Sequence, residues 1–439
     1  MQGLSSAIGG ITLSNRNNRG AVLFLLMVLL VLQGCSNGTN NATAVEGKDS
    51  TKNISMIGWY EENIMSDTID QINNALPEGT KLEYTFVNLS QFNNVLSTQL
   101  AAGEGPDIIM DGTAFSARIR ADNLLEITNM NLAENFNEAG LSLASRDGKI
   151  YGVPSYGWFS GTWYNKDIFA KYNLSPPKTF EELLAICRTL TDNGIQPIGF
   201  GLSDDNTAWH SLMGYLENAF YHNGTESPDF DIQFAQGKKT MEGNLNQAVD
   251  TWSQMITDGY ITSKMLGISA EQVIPDFIAG KTAMFYGGPW QYNQLKESGL
   301  NFGMFSHVGT NPEELWLVGG PAANFGINKN SQNIDAAKEV LQLLASENIQ
   351  KSILNSNPGG VSYFKGLVAD IPEEYTDIKD VLDAGRVGVA WERWGTNMPA
   401  QSLIDEGGKQ LQGMIGGATT TEGFLKALDN KANQIRYKN

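Results

Sequence analysis

Apolar and polar positions change with two different periods along residues 53–112. Short apolar runs of strand length, "NISMIGW", "LEYTFV" and "PDIIMDG", are separated by two stretches with a helical period. The first stretch covers 63–76, and the second is predicted to begin with Ser90 as its cap and to stop at Gly103. Strands that alternate with helices in this way predict an α/β fold, in which a mainly parallel sheet is flanked by helices.

Helical patterns continue later in the chain. Thr179 and Glu182 have the spacing of a capping box and predict a helix that begins there. Apolar stripes at helical spacing follow at 245–256 and 335–346. The 439 residues are too many for a single core, and no second polar linker divides them. We therefore expect two lobes that share several chain crossings.

The beginning of the chain has the pattern of an export signal. Two arginines precede twelve uninterrupted apolar residues at 21–32, whereas a membrane-spanning helix needs roughly 20. The following "LQGC" resembles the bacterial lipobox, in which the cysteine, here Cys35, receives the lipid. We predict a lipoprotein signal peptide at 1–34 and a small, polar, flexible tether at 35–52. The alternative is a plain secretion signal that ends in cysteine.

The charge excludes several partners. Loss of the two arginines in 1–34 would take the net charge from −18 to −20. So negative a chain is not expected to bind nucleic acid or anionic lipid. Cys187 is the only other cysteine and lies in a helical apolar pattern, which indicates a core thiol and no disulfide.

The search for catalytic motifs is negative. The three histidines are widely spaced, and the chain has neither a phosphate-binding loop nor a GxSxG elbow, so we predict no metal, no cofactor and no catalytic residue. Glu61 and Glu62 are kept as candidates because they follow the first predicted strand, where open α/β sheets place their ligands.

Tryptophan gives the positive signal. Of nine tryptophans, Trp252 and Trp163 belong to predicted core elements. Seven others lie beside glycine, proline or polar loop residues: Trp59, Trp158, Trp209, Trp290, Trp316, Trp391 and Trp394. For any one of them, buried packing is the commoner explanation. Several such rings near acids and amides are typical of sugar binding, because rings stack on sugar C–H faces while Asp, Glu and Asn bind the hydroxyls.

Four blocks in a fixed order carry a family resemblance. They are "FNNVLSTQLAAGEGPDII", the long block "DGKIYGVPSYGWFSGTWYNKDIFAKYNLSPPKTFEELLAICRTL", "FIAGKTAMFYGGPW" and "GGPAANFGINKNSQNIDAAKEVLQLLAS". From Ile54 to Ile435 the chain resembles the extracellular solute-binding proteins of ABC importers, in the carbohydrate-binding branch that includes maltose-binding protein.

The resemblance implies a two-lobed, type II periplasmic-binding-protein-like fold with a ligand cleft between the lobes. Crossings between the lobes are expected near 154–158, 319–324 and 368–378. The expected lobes are 53–155 with 322–370, and 156–318 with 375–439. Closure on a sugar would create the form that a membrane permease recognises.

Ligand-binding residues are predicted by position and by residue type. The set is Tyr60, Glu61, Glu62, Asp111, Trp158, Phe159, Trp209, Trp290, Trp316, Trp391 and Trp394. Trp316 enters from its place before two glycines, and the choice between Trp391 and Trp394 stays open. The chain is longer than the maltose-binding pattern around 222–243 and 361–390, so its specificity need not be the same.

Three functions stay open at this point. The leading one is a monomeric, non-catalytic sugar-binding subunit of an ABC importer. Its lipid anchor would hold it on the extracellular face of the cell membrane, with a Gram-positive surface favoured over the periplasmic side of a Gram-negative cell. One alternative is a secreted lipoprotein enzyme that acts on glycans with a pair such as Glu62 and Asp111. The other is a sensor that reports sugar to a membrane kinase.

Overall fold

The computed structural model describes residues 51–112, 114–222, 230–389, 392–394 and 397–437. The predicted signal peptide, the lipidation site Cys35, nearly all of the predicted tether and the candidate Trp391 lie outside the described residues. From Thr51 onward the chain forms one compact unit. Among the described residues, no helix has both the length and the apolar character needed to cross a bilayer.

The described strands are short, and more than half of them lie in the first third of this unit. They are β1 (Lys52–Gly58), β2 (Thr80–Phe86), β3 (Ile108–Asp111), β4 (Ser145–Arg146), β5 (Lys149–Ile150), β6 (Val153–Pro154), β7 (Gly157–Asn165), β8 (Gln196–Gly199), β9 (Thr282–Gly287), β10 (Phe302–Phe305), β11 (Leu317–Pro321), β12 (Asn324–Ile327) and β13 (Val387–Val389).

Helices lie between the strands and close the chain. They are α1 (Glu62–Ala75), α2 (Leu89–Ala102), α3 (Phe115–Arg120), α4 (Glu138–Leu141), α5 (Lys166–Lys171), α6 (Phe180–Asp192), α7 (Asp205–Leu216), α8 (Phe230–Ala235), α9 (Asn246–Trp252), α10 (Gln254–Thr257), α11 (Ala270–Ile278), α12 (Tyr292–Glu297), α13 (Ile334–Leu344), α14 (Glu347–Asn355), α15 (Lys379–Asp383), α16 (Ala400–Ile415) and α17 (Thr421–Ile435).

Local signals in the sequence place most helix ends correctly. The hydroxyl of Thr179 accepts a hydrogen bond from the backbone N–H of Glu182 at 3.2 Å and caps α6. Helix α2 begins at Leu89, one residue before the predicted cap Ser90, and ends before Gly103, whose φ of +74° suits glycine.

The first sheet has the strand order β2-β1-β3-β12-β6. Strands β2, β1 and β3 are parallel, whereas β12 runs antiparallel to both β3 and β6. In this register Phe86 lies opposite Gly58, and Asp111, Asn324 and Pro154 form one row. These five residues lie along one end of the sheet, which we call the first edge together with the residues that directly follow β1, β2 and β3.

The second sheet has the order β13-β11-β7-β9-β8, and β10 also pairs with β7. Strand β7 is antiparallel to β9, β10 and β11, while β8 with β9 and β11 with β13 are parallel. The second edge is the end where β7 begins and β8, β9, β11 and β13 end.

The prediction of mainly parallel sheets is wrong, because both sheets are mixed. The chain leaves the first sheet through β6 and enters the second through β7, and it returns through β11 and β12. A strand that carries the chain away from a crossing must run antiparallel to a neighbouring strand that carries the chain back to the crossing. Strand–helix alternation continues after the first crossing and gives the parallel pair of β8 and β9, but the pairings of β7 with β9, β10 and β11 are antiparallel.

The crossings are tied to each other by backbone hydrogen bonds. Ala322 donates its N–H to the carbonyl of Tyr156 at 2.8 Å, and Ser155 donates to Ala323 at 2.9 Å. A third segment joins them, since Gly157 and Val361 exchange hydrogen bonds of 2.6 and 2.8 Å. Because only two residues separate β6 from β7 and β11 from β12, the two edges meet at these crossings. The exact lobe boundaries stay a prediction.

Candidate functional site

The most exposed ring at the second edge is that of Trp290, in the turn that follows β9. Its side chain is 52% exposed, and Gln291 closes the turn by accepting the backbone N–H of Gly288 through Oε1 at 2.8 Å. A Cβ on Gly288 would lie 2.2 Å from the Trp290 ring, so only glycine lets the indole fold over the turn. An exposed indole does not gain the stabilisation that burial would give it. Large apolar side chains that stay exposed are typical of a binding surface.

Trp290 stands at the end of a row of rings that we call the ring ladder: Trp290, Trp158, His210, Tyr286 and His307. Successive ring centroids are 6.1, 5.4, 6.1 and 4.9 Å apart. Trp158, His210 and His307 are buried, with Trp158 8% and His210 7% exposed, and Tyr286 is partly exposed. The ladder therefore supports the exposed indole from behind with packed rings.

The two imidazoles of the ladder are held neutral. Burial lowers the pKa of His210 to about 3, with a smaller contribution from His307, and burial also lowers the pKa of His307 to about 3. The hydroxyl of Tyr286 and that of Ser160 are 2.5 Å apart, and burial raises the pKa of Tyr286. The ladder thus presents uncharged polar groups at neutral pH.

A small cavity of about 40 Å³ lies behind the ladder. Tyr286 and His307 line it together with Thr162, Ser211 and apolar side chains of α6 and α9. Ligand pockets usually measure at least roughly 300 Å³, so this cavity is too small for a sugar ring.

At the first edge, Trp59 and the two acids that follow β1 are accessible. Trp59 is half-buried against Phe92, with centroids 5.0 Å apart, while Glu61 and Glu62 are exposed where α1 begins. Tyr60 is only 8% exposed; its ring lies 5.8 Å from that of Tyr156, and burial raises its pKa well above the usual value. Phe86, at the end of β2, is 37% exposed. The first edge therefore offers two aromatic rings, Trp59 and Phe86, and two carboxylates to solvent.

Asp111 lies in the same edge but is committed to a partner. It is 2% exposed; its Oδ2 accepts from Nε of Arg118 at 3.0 Å, and its Oδ1 accepts from the N–H of Gly112 at 2.8 Å. Burial raises the pKa of Asp111, and the charge of Arg118 opposes the rise. The Arg118 guanidinium also donates to Ser97 at 2.8 Å and to Asn93 at 3.2 Å. This pair fastens β3 to α2 and α3.

Three predicted ligand residues are core residues in the structure. Phe159 is 0% exposed and packs 5.7 Å from the Tyr375 ring. Trp209 and Trp394 are 2% and 1% exposed and pack against each other at 6.4 Å. The prediction that Trp209 lies in a loop is wrong, because it belongs to α7. None of the three presents a ring to solvent.

Trp316 belongs to a different group, which we call the buried ion cluster: Glu217, Arg393, Asp231, His222 and Trp316. Arg393 pairs with Glu217, which is 0% exposed, and with Asp231 at 2.6 Å. The His222 and Trp316 rings stack with centroids 3.6 Å apart and planes within 5°. Trp316 directly precedes β11, and Pro321 is the residue with which β11 reaches the second edge. Trp316 therefore lies at the opposite end of this strand, roughly 15 Å from Pro321 at the usual spacing of strand residues.

The structure thus divides the predicted set. It joins Trp158 and Trp290 at the second edge and places Tyr60, Glu61, Glu62 and Asp111 along the first edge. His210 was missed by the sequence reasoning, although it directly follows Trp209. In a helix, neighbouring residues point about 100° apart, so the ring turned toward Trp158 is that of His210.

Comparison with known proteins adds a family to this geometry. The family model described as bacterial extracellular solute-binding protein matches residues 66–351, more than half of the chain. A protein of Brucella abortus, named only as a binding protein, is 28% identical over 273 residues. That alignment covers 61% of this chain and 64% of the relative, which is less than two thirds of the relative's length. The polygalacturonan/rhamnogalacturonan-binding protein of Bacillus subtilis is 24% identical over 404 residues, 83% of this chain and 78% of that protein.

A solved structure shares the fold. The family 1 extracellular solute-binding protein of Bifidobacterium longum subsp. infantis superposes with a TM-score of 0.71 at 25% identity, covering 88% of this chain and 100% of that one. The likeness confirms the two-lobed α/β fold that the sequence resemblance implied.

Proposed function

Because the chain belongs to the family of bacterial extracellular solute-binding proteins, we propose that it binds a carbohydrate outside the cell and delivers it to an ABC-type permease. The observation that carries this proposal is Trp290, a 52% exposed indole held 6.1 Å from the ring of Trp158 at one of two meeting edges. A broad apolar ring at one edge and exposed carboxylates at the other suit a molecule that has C–H faces and hydroxyl groups.

Binding would proceed by stacking and closure. A sugar ring lies on Trp290, while Glu61 and Glu62 accept hydrogen bonds from its hydroxyls across the cleft. Bending at the short crossings brings the edges together and excludes water, which strengthens those hydrogen bonds. Asp111 is placed in this scheme as a support of the first edge, since Arg118 already occupies its carboxylate.

No bond is made or broken in this proposal. A glycan-acting enzyme would need two carboxyl groups facing one glycosidic bond. Of the pair suggested by the sequence, Glu62 is exposed and Asp111 is 2% exposed and ion-paired. Turnover of an oligosaccharide that stops in the Glu62→Gln variant would favour the enzyme over the binding protein.

The test uses isothermal titration calorimetry on the compact unit from Thr51 onward. The titrants are a panel of mono- and oligosaccharides, with polyols and short peptides as comparison ligands. We expect saturable binding of at least one sugar, which chromatography recovers chemically unchanged. Binding of polyols or peptides in the absence of any sugar binding would refute the carbohydrate assignment.

We also propose that Cys35 carries a lipid that holds the protein at the outer face of the membrane as a monomer. The lipobox-like "LQGC" and the apolar run before it support this. Labelled palmitate should enter the full-length protein in its native host and should not enter the Cys35→Ser variant. Equal labelling of both proteins would contradict the proposal.

A further inference from the structure

The described segments that form the two edges contain no basic residue. The segments that form them are 58–62, 86–89, 111–112, 154–158, 200–210, 287–291, 319–324 and 387–389, and none includes lysine or arginine. They do include the exposed acids Glu61, Glu62 and Asp204. Every charge that the described edge segments show to solvent is therefore negative.

The guanidinium groups near these segments along the chain are occupied. Arg386 directly precedes β13, at the end opposite the second edge, and donates its Nε–H to the carbonyl of Leu315 at 3.0 Å. Arg118 is bound to Asp111, Ser97 and Asn93, and its side chain is 12% exposed. Arg393 follows β13, but its side chain is only 7% exposed and pairs with Glu217 and Asp231. Turning either group toward a ligand would leave a buried carboxylate without its partner, which is strongly unfavourable.

The histidine at the second edge does not supply a positive charge either. His210 lies between the rings of Trp158 and Tyr286, with His307 behind Tyr286. Burial, with a smaller contribution from charge repulsion by His307, lowers the pKa of His210 to about 3. A neutral imidazole donates to or accepts from a hydroxyl, but it cannot compensate a carboxylate or a phosphate.

Binding of an anionic sugar between these edges would be energetically unfavourable. Closure would remove water from its charge, and an unpaired charge in a desolvated site is expensive. Glu61, Glu62 and Asp204 would repel it at short range, and the net charge of −18 would slow its approach.

We propose that the cleft is selective for uncharged sugars and rejects sugars that carry a carboxylate or a phosphate. This inference rests on the proposed function and narrows its ligand class. It departs from the Bacillus subtilis relative named for polygalacturonan, which is a polymer of an acidic sugar.

The test is calorimetry with matched pairs of sugars. Each neutral di- to tetrasaccharide is paired with its counterpart oxidised to a carboxylate at C6, for example galactobiose with digalacturonate, at low and at high salt. Where the neutral sugar of a pair binds, we expect its acidic counterpart to bind at least about tenfold more weakly at low salt. We expect this difference in affinity to become smaller with added salt.

The outcomes separate the two proposals. An acidic sugar that binds as tightly as its neutral counterpart overturns the selectivity and leaves carbohydrate binding intact. If no member of either class binds to protein whose folding is verified by circular dichroism, the proposed function and the selectivity both fail.

A pair of variants tests the stated cause. The double variant Glu61→Gln/Glu62→Gln should narrow the gap between neutral and acidic sugars at low salt. The matched control is Glu313→Gln/Glu314→Gln, which neutralises two adjacent exposed acids outside the edge segments and should leave the gap unchanged. If both double variants change this difference in affinity equally, the selectivity comes from the net charge of the protein and not from the edge of the cleft.

Discussion

The ring ladder and the buried ion cluster look alike in the sequence and differ in the folded chain. Both combine tryptophan with histidine, and both adjoin acidic residues. At the end of the ladder Trp290 is 52% exposed, whereas beside the ion cluster Trp394 is 1% exposed and donates its Nε1–H to Asp231 at 3.0 Å. One group can offer a face to a ligand, and in the other the charged groups Arg393, Glu217 and Asp231 are paired with each other. The comparison teaches that exposure and prior pairing decide the role, while residue type alone does not.

The largest effect is expected from removal of the charge that holds the ion cluster together. Arg393→Met would leave Glu217 and Asp231 buried without their partner, and we expect the free energy of unfolding to fall by about 3–5 kcal/mol in chemical denaturation. The control is Lys426→Met, which breaks an exposed ion pair with Glu422 and should change stability little. Equal effects of the two variants would mean that the cluster is not a stabilising centre.

The pH dependence of stability should come from the ladder. The folded-state pKa of both His210 and His307 is lowered to about 3, while the unfolded chain binds protons near the ordinary value of 6.5. Their contribution to stability is thus complete above about pH 6.5 and is lost as the pH falls below it, by about 1.4 kcal/mol per pH unit and histidine.

Denaturation between pH 7 and 5.5 measures this slope before most carboxylates titrate. Replacement of both ladder histidines by asparagine should flatten the curve relative to the unaltered chain. An unchanged slope would show that neither imidazole is held neutral by the fold.

Trp290→Ala should separate binding from stability. Loss of a central ring is expected to weaken sugar binding at least about tenfold, as with other aromatic anchors, while the exposed position keeps unfolding nearly unchanged. Ile232→Ala is the matched control, because Ile232 is similarly exposed at 55% and lies in α8. If calorimetry gives the same affinity for the two variants, Trp290 is not the binding platform.

The smallest effect on binding is expected at Trp316. Trp316→Ala removes the ring stacked on His222 and should lower the free energy of unfolding by at least about 1 kcal/mol, with sugar affinity unchanged in calorimetry. Trp316→Phe should restore most of the stability because it keeps a ring. A clear loss of affinity in the alanine variant would return Trp316 to the ligand site, where the sequence first placed it.

Much of the fold could be predicted from the sequence because its signals are local. The apolar period, the cap at Thr179 and the stop at Gly103 each act within one turn of a helix. Strand direction was not predictable, since it depends on where the chain crosses between the sheets. The antiparallel pairing of β7 with β11 joins residues about 160 positions apart, and no local period encodes it.

Site residues could be predicted from the sequence where they lie in a turn. Where they lie in a helix or a strand, the prediction was unreliable. Trp290 follows two glycines and a proline, a combination that is typical of an exposed turn. Phe159 follows Trp158 in a strand, where neighbouring side chains point to opposite faces, so both could not face the ligand. The residues before Trp209 do not signal that a helix begins at Asp205, so the sequence predicts a loop there and does not indicate that the next residue, His210, faces Trp158.

The contact of Gly319 with β7 matters for redesign of the protein. A Cβ at Gly319 would lie 2.2 Å from the carbonyl oxygen of Trp158 and 3.0 Å from Cα of Phe159, and backbone atoms cannot rotate aside as a side chain can. This place has no tolerance for an added methyl group, although it directly adjoins the ladder. A library built to alter ligand choice should therefore leave Gly319 and Gly288 unvaried and place its diversity at Trp290, where the exposed indole can be exchanged without displacing the strands.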